Sequence, residues 1–525
     1  KIKSNSFNAG YIYYNLGACY SLLSDFKDKL LNTSATIDFF IKAQDFFSKK
    51  EYPSNYAFLK TNLGNAFRSL AEEENHLENC NNAIEEYKEA LKIYSSDKRS
   101  LDYGAIKNNL GATYELLGNF EENPDFIKKA IKSYEEITGL YNIEDNPFEY
   151  AALKNNIGNA YGYLAEFENK VQNCKEAISS YKQSLEIRTF EKYPSDYAMT
   201  QNNLGVVYDT ISEEEDSKDN FKNSINCYKE SLRFYDPKNY PDRNAMIQKN
   251  LADSYIKLAN IDESIDNYEN AKQAFEQALN YYDKGNFTSE YDLIKRQLAT
   301  IITKLARDNK NEQELENSIS LNKEALGSIN IDDNPSEYAS VNKELCLCYS
   351  TLFELKNNQK YFKHALSSGE RALDILNNLE TDSLDIGLIN RTLGSICLKY
   401  AESNKDEEVF EKAIIFNDNA TKIYGSNKYP EELAYINENL GMAYSYLSEY
   451  KENQLNLSNA VKSFYKALDY FDTKQFPGEF ARINNNLGNT HRALSEYGEK
   501  NKNIDLAIES YNKSLTVYTK SDFPY

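Results

Sequence analysis

Lys249, Arg296, Lys343 and Arg391 follow one another at intervals of 47, 47 and 48 residues, and Lys257, Lys304 and Lys399 repeat three of those positions eight residues later, interrupted by Thr351. Cations at a fixed interval on an otherwise acidic chain could meet the carboxylates of an extended acidic peptide. An exposed ion pair contributes only about 0–1 kcal/mol, so such a row acts collectively and weakens with salt. Asp253, Asp292 and Glu344 lie nearby and offset part of the charge, and ordinary surface lysine and arginine is the plain alternative. A second pattern is amide-based. Asn65, Asn159 and Asn489 share one register position, and Asn15, Asn62, Asn109, Asn156, Asn203, Asn250, Asn439 and Asn486 share another. An amide donates and accepts, so a ladder of amides could hold a peptide backbone without reading its side chains. The larger set could equally knit neighbouring helices together.

Other chemistry is scarce. There is no phosphate-binding Gly-Lys-Ser/Thr loop, no GxGxxG, no GxSxG and no HExxH. The three histidines (His76, His364, His491) have no metal-ligand spacing. The seven cysteines form no CxxC pair, and Cys19 and Cys348 fall where other repeats carry Ala, Val or Thr, which reads as small core residues in a reducing cytoplasm. Carboxylates such as Glu213, Glu214 and Glu215 read as solvated surface. The expectation is no enzyme, no cofactor and no metal. A formal charge of -21 argues against a nucleic-acid partner or an anionic membrane surface. No segment has the length and apolarity of a membrane span or signal peptide.

The spacing of these residues follows from an internal repeat. Leucine or isoleucine recurs at Leu16, Leu63, Leu110, Ile157, Leu204, Leu251, Leu298, Leu345, Leu393, Leu440 and Leu487, every step being 47 residues except one of 48. Pro53, Pro147, Pro194, Pro241, Pro335, Pro430, Pro477 and Pro524 keep the same period. Taking the repeat leucine as position 0, Tyr56, Leu59, Phe67 and Leu70 form one helical stripe, and Ala83, Ile84, Tyr87, Ala90 and Leu91 a second. The proline suits the start of the first helix. Each unit is therefore predicted to be two antiparallel amphipathic helices, and the whole chain all-α. A glycine follows most repeat leucines, mid-helix, where it costs about 1 kcal/mol against alanine. Close approach of the partner helix is the expected compensation. Ala252, Ala299 and Cys346 replace it and should push the helices slightly apart.

These residues resemble the tetratricopeptide repeat family. Leu204-Gly205 with Tyr208 is similar to its Leu-Gly-x-x-Tyr element, and Ala83, Tyr87 and Ala90 to its Ala…aromatic…Ala element. The resemblance covers all 525 residues in eleven copies. It departs from the family in lacking the frequent tryptophan (Lys60, Lys107 or Lys154 here) and in a unit of 47 residues, similar to the long repeats of kinesin light chains and of prokaryotic arrays in signalling proteins. Seven of the residues added to the family's unit lie between the Leu-Gly and Ala elements, close to two turns, one on each helix. The resemblance implies a right-handed superhelical α-solenoid over residues 1–525. Its first helices would line a concave groove, with positions -2, +2, +5 and +6 facing the groove and -1 on its flank.

The implied function is a non-enzymatic scaffold that binds a protein or peptide in that groove, with the basic segment of repeats six to nine meeting an acidic partner. Repeats spanning about 241–428 lose the Asn and Gly and form the divergent part of the array. The alternative is a sensor or autoinhibitory arm of a larger signalling protein whose NTPase or caspase-like module lies outside this chain. The lack of an initial Met and the ending "DFPY", which opens a twelfth unit, read as a fragment of a longer chain. The last helix, near Asp505 to Tyr518, is expected to turn Ala507, Ile508, Tyr511 and Leu515 toward core, with part of that surface lacking a following repeat.

Overall fold

The computed structural model describes residues 2–94, 100–215, 217–262, 264–283, 285–379, 384–425 and 428–518. These residues contain 22 helices and no strand. They divide into two compact units, residues 1–281 and 282–525. The first unit holds six helix pairs: α1 (Ile2–Ser24) with α2 (Lys29–Gln44), α3 (Pro53–Ala71) with α4 (His76–Leu91), α5 (Leu101–Phe120) with α6 (Pro124–Glu135), α7 (Pro147–Leu164) with α8 (Lys170–Leu185), α9 (Pro194–Ser212) with α10 (Ser217–Leu232), and α11 (Pro241–Asp262) with α12 (Ile265–Ala278). The second holds five: α13 (Thr288–Asp308) with α14 (Glu312–Ser328), α15 (Pro335–Lys356) with α16 (Gln359–Asn378), α17 (Leu384–Asn404) with α18 (Glu407–Tyr424), α19 (Pro430–Leu447) with α20 (Asn453–Leu468), and α21 (Pro477–Leu494) with α22 (Lys500–Leu515). Within each unit a second helix packs on its own first helix and on the next one, and successive first helices also touch. That is the local arrangement of an α-solenoid.

The punctuation is read directly from the sequence. Pro53, Pro147, Pro194, Pro241, Pro335, Pro430 and Pro477 each begin a first helix, where the missing N–H would have no helical partner anyway. Pro524 and the "DFPY" ending lie outside the described residues. The turn between the two helices of a repeat is marked by one residue in the left-handed region: Asp28, Asn75, Glu122, Asn169, Lys310, Asn357, Lys405, Glu452 and Glu499, with φ between 45° and 56°. None is a glycine, so the helix-to-helix geometry holds each in a conformation that L residues enter at a cost.

The mid-helix glycines have the predicted reason. A Cβ on Gly64, Gly111, Gly158, Gly205 or Gly488 would stand 2.5–2.8 Å from the ring of Tyr87, Tyr134, Tyr181, Tyr228 or Tyr511, the residue 23 positions later on the partner helix. In two of the divergent repeats the expected widening gives way to a smaller partner: Ala299 is matched by Asn322, and Cys346 by Gly369. At Gly369 a Cβ would lie 2.9 Å from Cys346 Sγ, so the large and small sides are exchanged.

The ends differ from the middle. Leu63, Leu204, Leu345 and Leu487 are buried, whereas Leu16 is 39% exposed. Cys19 is also exposed, unlike the six other cysteines, because its register position packs on a preceding helix pair and α1 has none among the described residues. On α22 Ala507 is buried, but Ile508 and Leu515 are 54% and 62% exposed. They are not in core, since no following first helix covers them among the described residues.

Candidate functional site

The amide pattern is resolved into hydrogen bonds along the first helices of the first unit. The Nδ2 of Asn62 donates to the Tyr14 hydroxyl (3.1 Å), that of Asn109 to Asn65 Oδ1 (3.0 Å), that of Asn156 to Asn108 Oδ1 (3.0 Å), and that of Asn203 to Asn159 Oδ1 (3.0 Å). Each bond joins a first helix to the one before it. Asn65 and Asn159 carry a second load, which Asn489 carries alone: the three Oδ1 atoms accept from the hydroxyls of Tyr87, Tyr181 and Tyr511 at 2.7, 2.7 and 2.8 Å. The carbonyl side of these three amides therefore serves the fold, and the NH2 side is what they can offer a ligand.

Two repeats satisfy the same tyrosine differently. Where position +2 is Ala112 or Val206, position +5 supplies a carboxylate: Tyr134 donates to Glu115 (3.1 Å) and Tyr228 to Asp209 (2.8 Å). Asp209 also accepts from Ser224 and Ser254. These carboxylates are not the solvated surface expected of the acidic residues. Burial pushes the Glu115 pKa up to about 8 against the bond from Tyr134, and it raises that of Asp209 despite three hydroxyl donors. Glu344 and Glu438 are likewise buried. The sequence carried a signal for this: an acid at +5 coincides with a residue at +2 that cannot accept from the tyrosine.

Repeat four departs again. Position +5 is Gly162, and the missing side chain leaves a cavity of about 220 Å³ between α7 and α9. Asn159, Tyr163 and Glu166 line one side, Asn203 and Val206 the other, and the Tyr181 ring closes the base. A Cβ on Gly162 would meet only Val207, at 3.3 Å, and the Tyr181 hydroxyl at 4.0 Å.

The basic row is divided between the two units, with Lys249 and Lys257 in the first and Arg296, Lys304, Lys343, Arg391 and Lys399 in the second. Arg296 pairs with Glu337 (3.1 Å) and Lys343 with Asp385 (2.9 Å) and Glu344 (3.7 Å). Both Glu337 and Asp385 belong to the following repeat, so these cations join repeats. Repeat ten reverses the sign: Glu438 takes two bonds from Arg482, at 2.6 and 2.8 Å. Lys257 faces Glu213 (3.4 Å), Lys304 faces Asp308 (3.6 Å), and Lys399 donates to the Glu354 carbonyl (3.0 Å). Lys249 and Arg391 are half-buried and make no ion pair among the described residues.

Among the described residues no group of three His, Cys, Asp or Glu could hold a metal ion, and no helix is long and apolar enough to cross a membrane. His491 is buried at position +4 of its repeat.

The geometry defines a helical-repeat protein whose first helices carry an amide-linked face. Residues 252–284 match the family described as tetratricopeptide repeat. No curated protein matches the chain. Among the solved structures that are similar are the following three. The human IFIT1 dimer with m7Gppp-AAAA is 15% identical, covering 86% of this chain and 90% of its own, with a TM-score of 0.30. The Rap protein complexed with competence and sporulation factor is 13% identical, covering 79% and 97%, with a TM-score of 0.32. The MamA protein is 17% identical, covering 42% and 94%, with a TM-score of 0.25. Identities and TM-scores are low throughout, so the tie to a family rests on residues 252–284.

Proposed function

We propose that this chain is a non-enzymatic scaffold that holds a protein or peptide partner along the first-helix face. The observation that carries this reading is the cavity between α7 and α9, which opens in the amide-linked surface at the one repeat where position +5 is glycine and +2 is Asn159. An extended strand laid over α5, α7 and α9 would find amide NH2 groups for its carbonyls and a recess for one side chain. Asn65, Asn159 and Asn489 act through that NH2 side. Basic residues within each unit offer further contacts for acidic groups: Lys249 and Lys257 in the first, and in the second Arg391, Lys304 and Lys399, with Arg296 and Lys343 exchanging Glu337 and Asp385 for partner carboxylates. The 47-residue register between Leu251 and Leu298 is the ground for treating residues 1–525 as one array.

The test is a peptide selected by display against the folded chain. Val206→Asp, at the half-exposed wall of the cavity, should reduce its affinity at least tenfold, and Asn226→Asp on the exposed side of α10 should leave it unchanged. Equal effects at both positions, or none at Val206, would remove the first-helix face as the binding surface.

A further inference from the structure

The lining of the cavity beside Gly162 has a chemical bias. Its volume of about 220 Å³ equals roughly seven waters at ~30 Å³ each, enough for one long side chain. One wall is apolar, formed by Val206 and Val207, and two tyrosine rings complete the lining, Tyr163 opposite and Tyr181 at the base. Glu166 is exposed at the mouth and makes no ion pair among the described residues. Burial raises the pKa of Tyr163, and the negative charge of Glu166 adds to that rise. No lysine or arginine lines the cavity.

We propose that this cavity is a specificity site for the side chain of an arginine or lysine in an extended partner segment. The inference rests on the first-helix face being the binding surface and names what the partner must carry there. The aliphatic stem lies against Val206 and Val207, as long cationic side chains commonly cover apolar surface. The charged head reaches Glu166 at the mouth and the Tyr163 face, a favourable seat for a cation. The net charge of -21 concentrates cationic partners around the chain before contact is made. An apolar side chain would cover the valines and leave Glu166 unanswered; an acidic one would be repelled by Glu166.

Three small probes separate the cases: N-acetyl-arginine amide, its neutral isostere N-acetyl-citrulline amide, and N-acetyl-norleucine amide, each titrated into the full chain carrying labelled valine methyl groups. The arginine probe should shift the Val206 and Val207 methyl signals at least tenfold more tightly than either neutral probe, and Glu166→Gln should weaken it several-fold without disturbing the other methyl signals. Equal binding of norleucine would overturn the cationic preference while leaving the first-helix face standing as a side-chain site. Equal binding of citrulline, no change with Glu166→Gln, or no shift at Val206 and Val207 would overturn the proposal as well. The selected peptide described above then tells whether the surface itself has failed.

Discussion

Asn203 Nδ2 and Asn159 Oδ1 stand 3.0 Å apart, and the same oxygen accepts from Tyr181 at 2.7 Å. One amide thus ties α7 to α8 within a repeat and to α9 in the next. Asn159→Leu strands two donors at once, the Tyr181 hydroxyl and the Asn203 amide. Partly buried donors left unpaired cost about 1–3 kcal/mol each. Tyr181→Phe removes a donor and leaves Asn159 its other bond, so it should cost about 1 kcal/mol. Chemical denaturation of the two variants should rank them in that order; equal stabilities would mean that solvent replaces the network freely.

The glycine–tyrosine match predicts a sign opposite to helix propensity. Gly205→Ala should gain up to about 1 kcal/mol in a free helix. Here the new Cβ would sit 2.8 Å from the Tyr228 ring, and overpacking costs about 1–3 kcal/mol. The variant should be less stable than wild type, and Gly205→Ala combined with Tyr228→Leu should show coupling of about 0.5–3 kcal/mol in a double-mutant cycle.

Glu115 makes unfolding pH-dependent. With a folded pKa of about 8 and an unfolded value near 4.3, the folded chain binds the extra proton between those limits. Stability is highest below the unfolded pKa and falls as pH rises through the folded one. Part of the side chain stays open to solvent, so the loss is set at about 1–3 kcal/mol, below the full linkage value. Glu115→Gln, whose carbonyl can still accept from Tyr134, should abolish that part of the slope between pH 5 and 8.5. His491 acts in the other direction: burial lowers its pKa, so its contribution is complete above about 6.5 and is lost as pH falls below that value.

Much of this was legible in the sequence because the period is strict. The helix pairs, the proline starts and the close approach at Gly64 and Gly205 all follow from one register. Pairing across repeats was not legible from a single unit. Lys343 looks like a free cation until Asp385, 42 residues on, is placed beside it by the stacking of helices. Glu115 looks like one more surface acid until Tyr134 is seen to need an acceptor. The cavity is the absence of a side chain at Gly162, and an absence becomes visible only when position +5 is compared down the array.

The ion pairs that join repeats predict a modest cost. Arg296→Ala with Lys343→Ala should lower the stability of the second unit by about 0–3 kcal/mol, three pairs at about 0–1 kcal/mol each, and high salt should shrink the difference. Thermal melts at low and high salt check this. A loss of cooperative folding would show that these residues hold more than those pairs.

The account is tested most directly by asking which helices a bound peptide touches. A photoreactive residue is placed in turn at Ala112 on α5 and Thr210 on α9, and at Ser179 on α8 and Asn226 on α10, and irradiated with the selected peptide. Crosslinks at 112 and 210, with none at 179 and 226, are the predicted result. Crosslinks confined to 179 and 226 would contradict it and move binding to the second helices.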